Sequence, residues 1–419
     1  MPNPKTHLTK NVFVAGSTPE ITYNPRTERH LERGLKQYLD QGPGRALTVS
    51  GPSKSGKTVL AERLLPRDES IWIEGPDLTS LDVLWDRIVD WLGLYDLVEV
   101  TRDQAEGTGR QLGVNIGVPR LFSIETSKGN DETVTTGVRQ SRTQAIASTA
   151  RAGLQTVEVP IVIDDFHYVA DSAKQAVARA IKTIIPHSKV VLIAIPHEAF
   201  EVVRNEADMG GRVSQLEIDI WSQGELEFIA ERGFAALNIV DNQNIGVTLA
   251  ASCYGAPFLM QDLCYQYAYS IDVLKTVDEP VIAHSPDVWQ DFFKGIADRT
   301  PSAIFTDLLK GPKERGQRRQ VRTFHEGGAA DIYGALLYAV ARAGKPSVSY
   351  RELTELLDKA LTEAPSGQTI ALSLGQMSAI AEGRRGTGDP AIAYKHDVLH
   401  VLDPFLLFYL RYGTYSLMK

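Results

Sequence analysis

The stretch Arg45–Thr58, RALTVSGPSKSGKT, decides the fold. Residues 45–50 have the apolar character of a buried strand, and Gly51–Thr58 matches the phosphate-loop pattern GxxxxGK[ST] without deviation. The glycines let the backbone curl so that successive N–H groups face one point, and the positive end of the following helix also attracts an anion there. A strand, this loop and a helix over Lys57–Leu65 therefore predict a site for the phosphates of ATP or ADP.

The loop residues have distinct predicted roles. Lys57 is predicted to reach the β- and γ-phosphates and to act in catalysis. The Thr58 hydroxyl is predicted to bind Mg²⁺, which prefers oxygen ligands. The predicted nucleotide contacts from the loop are Gly51, Pro52, Ser53, Lys54, Ser55, Gly56, Lys57, Thr58 and Val59.

A second acidic element follows about 105 residues later, at Ile161-Val-Ile-Asp164-Asp165. An apolar run that ends in a carboxylate places Asp164 at the carboxyl end of a buried parallel strand, where ligands of α/β sheets bind. Asp164 is therefore predicted to bind Mg²⁺ with Thr58. Asp165 is predicted to be the catalytic carboxylate that orients or deprotonates the attacking water.

Short apolar runs alternate with helical patterns through the first half of the chain, which predicts a mostly parallel α/β sheet with right-handed crossovers. The predicted strands are Arg45–Ser50, Ser70–Gly75, Val159–Ile163, Lys189–Ile195 and Val213–Asp219. One break, Thr101–Gln140, is rich in Gly, Thr, Ser and charge and has partial period-two alternation. We predict that it is a surface insertion, in the form of a β-hairpin, that the nucleotide domain does not need for folding.

After Trp221 the strand patterns give way to helical spacing, with Ser222 as the predicted cap of a helix from Gln223. The last part has three predicted helices, two short β-like runs and a final helix from Pro404, which is the order of a winged helix. The predicted helices are Ala330–Arg342, Tyr350–Leu361 and Leu372–Ala381, and the β-like runs are Ala391–Tyr394 and Val398–Leu402. The predicted domains are a nucleotide-binding domain (1–220), a helical lid with following helices (221–310), a basic linker (311–329) and a winged-helix-like domain (330–419).

Composition places limits on the partners. The chain has 419 residues and a formal net charge of −8. A negatively charged protein is not expected to bind polyanions such as DNA over its whole surface. A local excess of positive charge occurs around the linker and is due to Lys310, Lys313, Arg315, Arg318, Arg319 and Arg322, against the single acid Glu314. Arg384 and Arg385 could extend it, yet the predicted third helix has no basic residue, which favours a protein partner over DNA. Two cysteines, no apolar leader and no run of ~18 apolar residues predict a cytoplasmic protein without a membrane partner.

The chain resembles the P-loop ATPases of the AAA+ and STAND group over roughly Tyr23–Ser270. Tyr23-Asn-Pro-Arg26-Thr-Glu28 is similar to the box that precedes the phosphate loop and lies near the adenine, and Ser252-Cys-Tyr-Gly255-Ala-Pro257 is similar to the Gly-x-Pro element whose proline contacts the base. Arg26 and Pro257 are therefore implied nucleotide contacts. The segment from Asp403-Pro404 to Arg411 resembles the one that follows the winged helix in related prokaryotic ATPases.

We also expect an arginine from a neighbouring subunit to take part in catalysis. Arg212 precedes the predicted fifth strand and is our candidate for a catalytic residue that reaches the γ-phosphate of another copy; Arg204 is the second candidate. Departures from the family pattern, such as the absence of an arginine from the lid helix after Pro257, indicate slow hydrolysis.

The sequence leads to three functional hypotheses. The first is an ATP-hydrolysing molecular switch whose nucleotide state controls self-association or the binding of a protein effector; the family resemblance allows a role in prokaryotic stress or phage defence. The second is a DNA-associated AAA+ ATPase, a regulator of transposition or replication initiation, that contacts nucleic acid through the linker and wing. The third is a scaffold that holds ADP permanently.

Overall fold

The computed structural model describes residues 6–94, 137–195, 209–299, 303–313, 319–384 and 390–417. The predicted insertion Thr101–Gln140 lies outside these residues except for its last four, which form the start of the helix Gly137–Thr156. The helix before the third strand thus begins within the last four residues of the approximate range predicted for the insertion. Arg204 also lies outside the described residues.

The strands and helices follow the predicted order. The strands are β1 Ala46–Ser50, β2 Ile71–Glu74, β3 Ile161–Asp164, β4 Val190–Ala194, β5 Val213–Glu217, β6 Ile239–Val240, β7 Val281–Ile282, β8 Arg322–Thr323, β9 Ala329–Ala330, β10 Ser347–Ser349, β11 Ile392–Lys395 and β12 Val398–Val401. The helices are α1 Thr9–Val12, α2 Leu31–Asp40, α3 Lys57–Leu64, α4 Leu81–Leu92, α5 Gly137–Thr156, α6 Asp171–Ile184, α7 Gln223–Leu237, α8 Ile245–Ala251, α9 Pro257–Ser270, α10 Trp289–Arg299, α11 Ala303–Lys310, α12 Ile332–Ala343, α13 Tyr350–Ala360, α14 Gly367–Arg384 and α15 Pro404–Tyr412.

The chain divides into two compact units. The sheet unit consists of residues 27–51 and 57–218, and the helical unit consists of residues 1–26, 52–56 and 219–419. The division passes through the phosphate loop, since residues 52–56 group with the helical unit. Residues 6–26 also group there, because the Thr9 N–H donates to Leu274 O over 2.9 Å and Phe13 packs edge-on against Phe234 at 5.8 Å. The first 26 residues, which were predicted as part of the nucleotide-binding domain, thus group with the helical unit.

The sheet unit contains a five-stranded parallel sheet in the order β2-β3-β4-β1-β5. The register pairs Ala46 with both Val190 and Val213, so β1 lies between β4 and β5. All five predicted strands are confirmed to within two residues at each end. Parallel pairing brings every strand's carboxyl end to one edge, and that edge holds both the phosphate loop after β1 and Asp164 at the end of β3.

Alternate residues of each strand point to opposite faces, and both faces are covered. In β4, Val190, Leu192 and Ala194 pack with α4, α5 and α6, whereas Val191 and Ile193 pack with α2 and α3. Both sets are buried, which explains why the strands have nearly continuous apolar sequences.

The helical unit has its own apolar core, which runs from α1 to α15. Its last part has the order α12, β10, α13, α14, β11, β12 and α15, and the three strands form an antiparallel sheet in the order β10-β12-β11. β10 was not predicted, because Ser347–Ser349 is a three-residue strand with one buried side chain. α14 is longer than its predicted range, Leu372–Ala381, by several residues at its start.

Candidate functional site

The phosphate loop joins β1 to α3 as predicted. Lys54 and Gly56 have positive φ angles of 60° and 91°, which curl the backbone between the strand and the helix. The Lys57 side chain is buried, and its Nζ donates to Gly51 O over 3.0 Å. The ammonium group is therefore held against the loop backbone. Ser53 and Val59 are partly exposed, at the middle of the loop and in the first turn of α3.

Thr58 and Asp164 lie together, although 105 residues separate them in sequence. The Thr58 side chain hydrogen bonds to the Asp164 carboxylate, which is 5% exposed. Burial raises the pKa of the Asp164 carboxyl, and the charge of Glu74 adds to the rise, whereas the bonds from Thr58 and the Asp165 N–H and the charge of Lys57 oppose it. The Thr58 hydroxyl and the Asp164 carboxylate are adjacent oxygen donors, the ligand type that Mg²⁺ prefers.

Glu74 is a carboxylate at this edge that the sequence analysis missed. It ends β2 and is the register partner of Asp164, so the two side chains share one face of the sheet. Its Oε1 accepts from Arg67 over 3.3 Å. The position of Glu74 at the end of the strand next to β3 is the signal that could have identified it.

Asp165 follows Asp164 in the left-handed conformation, with φ 51°, and its N–H donates to Asp164 Oδ1 over 2.9 Å. The next residue after Glu74 is Gly75, where a Cβ would lie 2.1 Å from Asp165 O. Only glycine allows this close approach of backbone to backbone. The turns that carry Glu74 and Asp165 are thus packed directly against each other.

Arg26 is buried and takes part in an ion pair. It is 4% exposed, and its guanidinium donates to both carboxylate oxygens of Glu225 over 2.9 and 3.1 Å and to Asp219 O over 3.2 Å. Although burial raises the pKa of Glu225, the hydrogen bonds from Arg26 and from the Ser222 N–H outweigh it and lower that pKa to about 2. The Arg26 side chain is therefore engaged in this ion pair, and its contact with the nucleotide stays a prediction.

The same ion pair belongs to the start of α7. Ser222 Oγ accepts from the Glu225 N–H over 3.3 Å, and Glu225 Oε2 accepts from the Ser222 N–H over 2.7 Å, which forms a capping box. The predicted cap at Ser222 is confirmed. The Arg26 guanidinium also lies 5.0 Å from the Trp221 ring centroid, and the Trp221 indole donates to Ser55 O over 2.8 Å.

Lys54 of the loop contacts the C-terminal helix. Its Nζ lies 3.0 Å from Asp403 Oδ1 and 4.5 Å from the centroid of Phe405. Asp403 also caps α15, since it accepts the Phe405 N–H over 3.1 Å. The side chain of Lys54 therefore points to α15 in this structure, and its contact with phosphate stays a prediction.

Pro257 is buried at the first position of α9, and the preceding Gly255 accepts the Trp221 N–H over 3.4 Å. Ser252, in the same segment, has its Oγ 3.1 Å from the Tyr412 hydroxyl of α15. Within residues 252–257, Gly255 thus contacts Trp221, and Ser252 contacts the C-terminal helix.

Arg212 is exposed in the turn before β5, where its carbonyl accepts the Ala46 N–H over 2.9 Å. Ala46 begins β1, and the phosphate loop follows the other end of that strand, roughly 13 Å away at ~3.3 Å per residue. Arg212 therefore lies at the amino edge of the sheet, opposite the phosphate-binding edge. Its predicted action on another copy stays a prediction.

Several residues of the predicted basic surface have partners within the chain. Arg319 pairs with Asp331 at 2.9 Å, Arg384 pairs with Asp307 at 3.0 Å, and Arg322 is buried with its guanidinium donating to Glu363 O over 3.2 Å. These contacts lower the charge available for a polyanion. Arg315, Arg318 and Arg385 lie outside the described residues.

Among the described residues, no cluster of three or more His, Cys, Asp or Glu side chains could hold a metal ion, and no helix is long and apolar enough to cross a membrane. Both cysteines, Cys253 and Cys264, are free and buried.

The chain matches no family model and no curated protein. Among solved structures, the Walker-type ATPase PABY2304 of Pyrococcus abyssi aligns with 95% of this chain and 99% of its own, at 13% identity and a TM-score of 0.53. The ORC2 protein of Aeropyrum pernix, with ADPNP and ADP, aligns with 96% of each chain at 12% identity and a TM-score of 0.50. At such identities the likeness concerns architecture, and it agrees with the parallel sheet and loop described above: the chain has a P-loop NTPase fold.

Proposed function

We propose that the protein is an ATP-binding, ATP-hydrolysing molecular switch of the AAA+/STAND type. The observation that carries the proposal is the contact between Thr58 and Asp164 beside the buried ammonium of Lys57. It joins the two sequence elements that a nucleotide site with Mg²⁺ needs. Ser55 Oγ supports the assignment, since it is buried within the loop and has no hydrogen-bond partner among the described residues.

In this proposal Thr58 and Asp164 hold Mg²⁺, which neutralises charge on the nucleotide phosphates when bound. Lys57 and the loop N–H groups bind the β- and γ-phosphates. Asp165 orients the attacking water, whose oxygen bonds to the γ-phosphorus as the bond to the β-phosphate oxygen breaks. ADP and inorganic phosphate are the products, and the proton of the water passes through Asp165 to solvent. Glu74, on the neighbouring strand, is the alternative carboxylate for this step.

The switch is carried by contacts within the helical unit. The loop residue Lys54 contacts Asp403, and the Gly255–Pro257 segment lies beside Ser252, which contacts Tyr412. We assign the segment α12–β12 to a winged helix on its element order, and α15 follows it directly. A change of nucleotide at the loop would then alter how α15 packs, and through it self-association or effector binding.

The test is the affinity of Lys57→Ala for a fluorescent ATP analogue. Loss of the ammonium group should weaken binding at least tenfold, or by about 1.4 kcal/mol. Lys36→Ala, which changes an exposed lysine of α2 in the same unit, is the matched control and should bind as the wild type does. Equal affinity for all three proteins would refute the proposed function.

The DNA-associated ATPase is the second candidate, and the sequence charge around Lys310 and Lys313 favours it. It requires duplex DNA binding whose affinity falls steeply with salt. Fluorescence anisotropy with labelled duplex DNA at 50 and 200 mM salt decides the matter, and salt-independent or absent binding excludes this candidate.

A further inference from the structure

Trp221 contacts three parts of the helical unit: the phosphate loop, Gly255 and Arg26. Its indole Nε1–H donates to Ser55 O of the phosphate loop over 2.8 Å, and its backbone N–H faces Gly255 O at 3.4 Å. The Arg26 guanidinium covers its ring at 5.0 Å. None of the sequence motifs includes Trp221.

The hydrogen bond to Ser55 fixes one peptide group of the loop. In a trans peptide the carbonyl and the N–H of the next residue point in opposite directions. A Ser55 carbonyl held towards Trp221 therefore turns the Gly56 N–H to the opposite side. Gly56 has φ 91°, a conformation in which glycine has unusual freedom, so an external contact is needed to select this orientation.

The indole ring is itself held in place. Arg26 lies over the ring while its guanidinium is fixed by two hydrogen bonds to Glu225. Glu225 is in turn part of the capping box of α7. Because each group in this series is restrained by the next, the donor reaches Ser55 at little further cost in side-chain entropy.

We propose that Trp221 is a positioning residue for the phosphate loop. Its indole N–H orients the Ser55–Gly56 peptide so that the Gly56 N–H binds nucleotide phosphate, and Arg26 and Glu225 hold the ring for this purpose. The inference rests on the proposed nucleotide-binding function. It also gives Arg26 a role in nucleotide binding that is indirect, in place of the base contact that the family resemblance implied.

Trp221→Phe removes the N–H and keeps an aromatic ring against Arg26. We expect the affinities for ADP and ATP to fall about fivefold, the range for one buried neutral hydrogen bond. The affinity for adenosine, measured by competition, should not change, because adenosine has no phosphate. Trp289→Phe, at a tryptophan stacked on Phe293 in the same unit, is the control and should leave all three affinities unchanged.

An equal loss for adenosine, ADP and ATP would show general damage and overturn the inference, as would unchanged ADP affinity in Trp221→Phe. If that variant does not fold, ¹⁹F NMR of the wild type labelled with 5-fluorotryptophan replaces it. The chain has five tryptophans, and phenylalanine variants of the other four assign the Trp221 resonance by elimination. ADP should shift this resonance and not that of Trp289, and a Trp221 resonance that does not move overturns the inference.

These outcomes are separable from a failure of the proposed function. If the wild type does not bind the fluorescent ATP analogue, the proposed function fails. If the wild type binds it and Trp221→Phe binds it equally well, only the role of Trp221 is refuted.

Discussion

The contact between Lys54 and Asp403 joins the phosphate loop to the C-terminal helix, and its strength can be worked out from the structure. The side chains are 35% and 28% exposed and 3.0 Å apart, so solvent screens the pair partly and it is worth about 0.5–1 kcal/mol. Asp403→Asn removes this charge and keeps the cap on α15, because asparagine caps helices as well as aspartate does. Lys54→Met removes the same pair and, in addition, the cation–π contact with Phe405.

A double-mutant cycle isolates the ion pair. Hydrogen exchange of the α15 amides, followed by mass spectrometry, should show a coupling between Lys54→Met and Asp403→Asn of up to about fivefold in exchange rate, the equivalent of ~1 kcal/mol. With saturating ATP the coupling should shrink, since the proposed switch alters the packing of α15 when the nucleotide at the loop changes.

A surface pair supplies the comparison for that cycle. Arg351 and Glu355 form an (i,i+4) pair at 2.9 Å on α13, with side chains 89% and 53% exposed. Arg351→Met with Glu355→Gln should show a coupling of about 0.3–0.5 kcal/mol, the usual value for such helix pairs, and ATP should not alter it. Additive effects of Lys54→Met and Asp403→Asn without nucleotide would refute the link between loop and helix.

Other expectations concern hydrolysis, pH and assembly. Asp165→Asn should bind ATP normally and release phosphate ~10²-fold more slowly, the range for a general base, whereas Glu74→Gln should lose less than about tenfold; the reverse ranking would assign the base to Glu74. The pKa of Glu225 is lower in the folded protein, about 2, than its ordinary 4.5, so its contribution is present above pH 4.5 and is lost as the pH falls towards 2. After allowance for solvent screening this amounts to about 1–2 kcal/mol. Thermal unfolding should show a gap between wild type and Glu225→Gln that closes on acidification, and a gap independent of pH would contradict the assignment. Arg212→Ala and Lys57→Ala should each hydrolyse ATP poorly alone and regain part of the activity when mixed, because one supplies the site and the other the arginine; co-assembly without recovery would exclude Arg212.

The sequence alone was sufficient to predict the features that depend on residues close together in the chain. Each predicted strand of the sheet is present, since a buried strand between two helical layers is apolar along its whole length. The Ser222 cap and the loop from Gly51 to Thr58 were also predictable, because a capping box and a phosphate loop are made by residues within a few positions of one another.

Local patterns were less reliable where a short or isolated element depends on its partners. β10 has only three residues and exists because Ser347–Ser349 pairs with β12, 49 or more positions later. Glu74 became a candidate only when the register placed it beside Asp164. Neither segment shows which strand it pairs with, since a short strand has too few residues to display a period.

What the tertiary structure alone decided is the partner of each polar side chain around the loop. Arg26 pairs with Glu225, 199 positions away, Trp221 donates to Ser55, 166 positions away, and Lys54 reaches Asp403, 349 positions away. A sequence motif identifies the residue types that can bind phosphate. It does not show which of these side chains already have a partner in the fold. The partners depend on how each unit packs its apolar core and on which buried charges must then be paired.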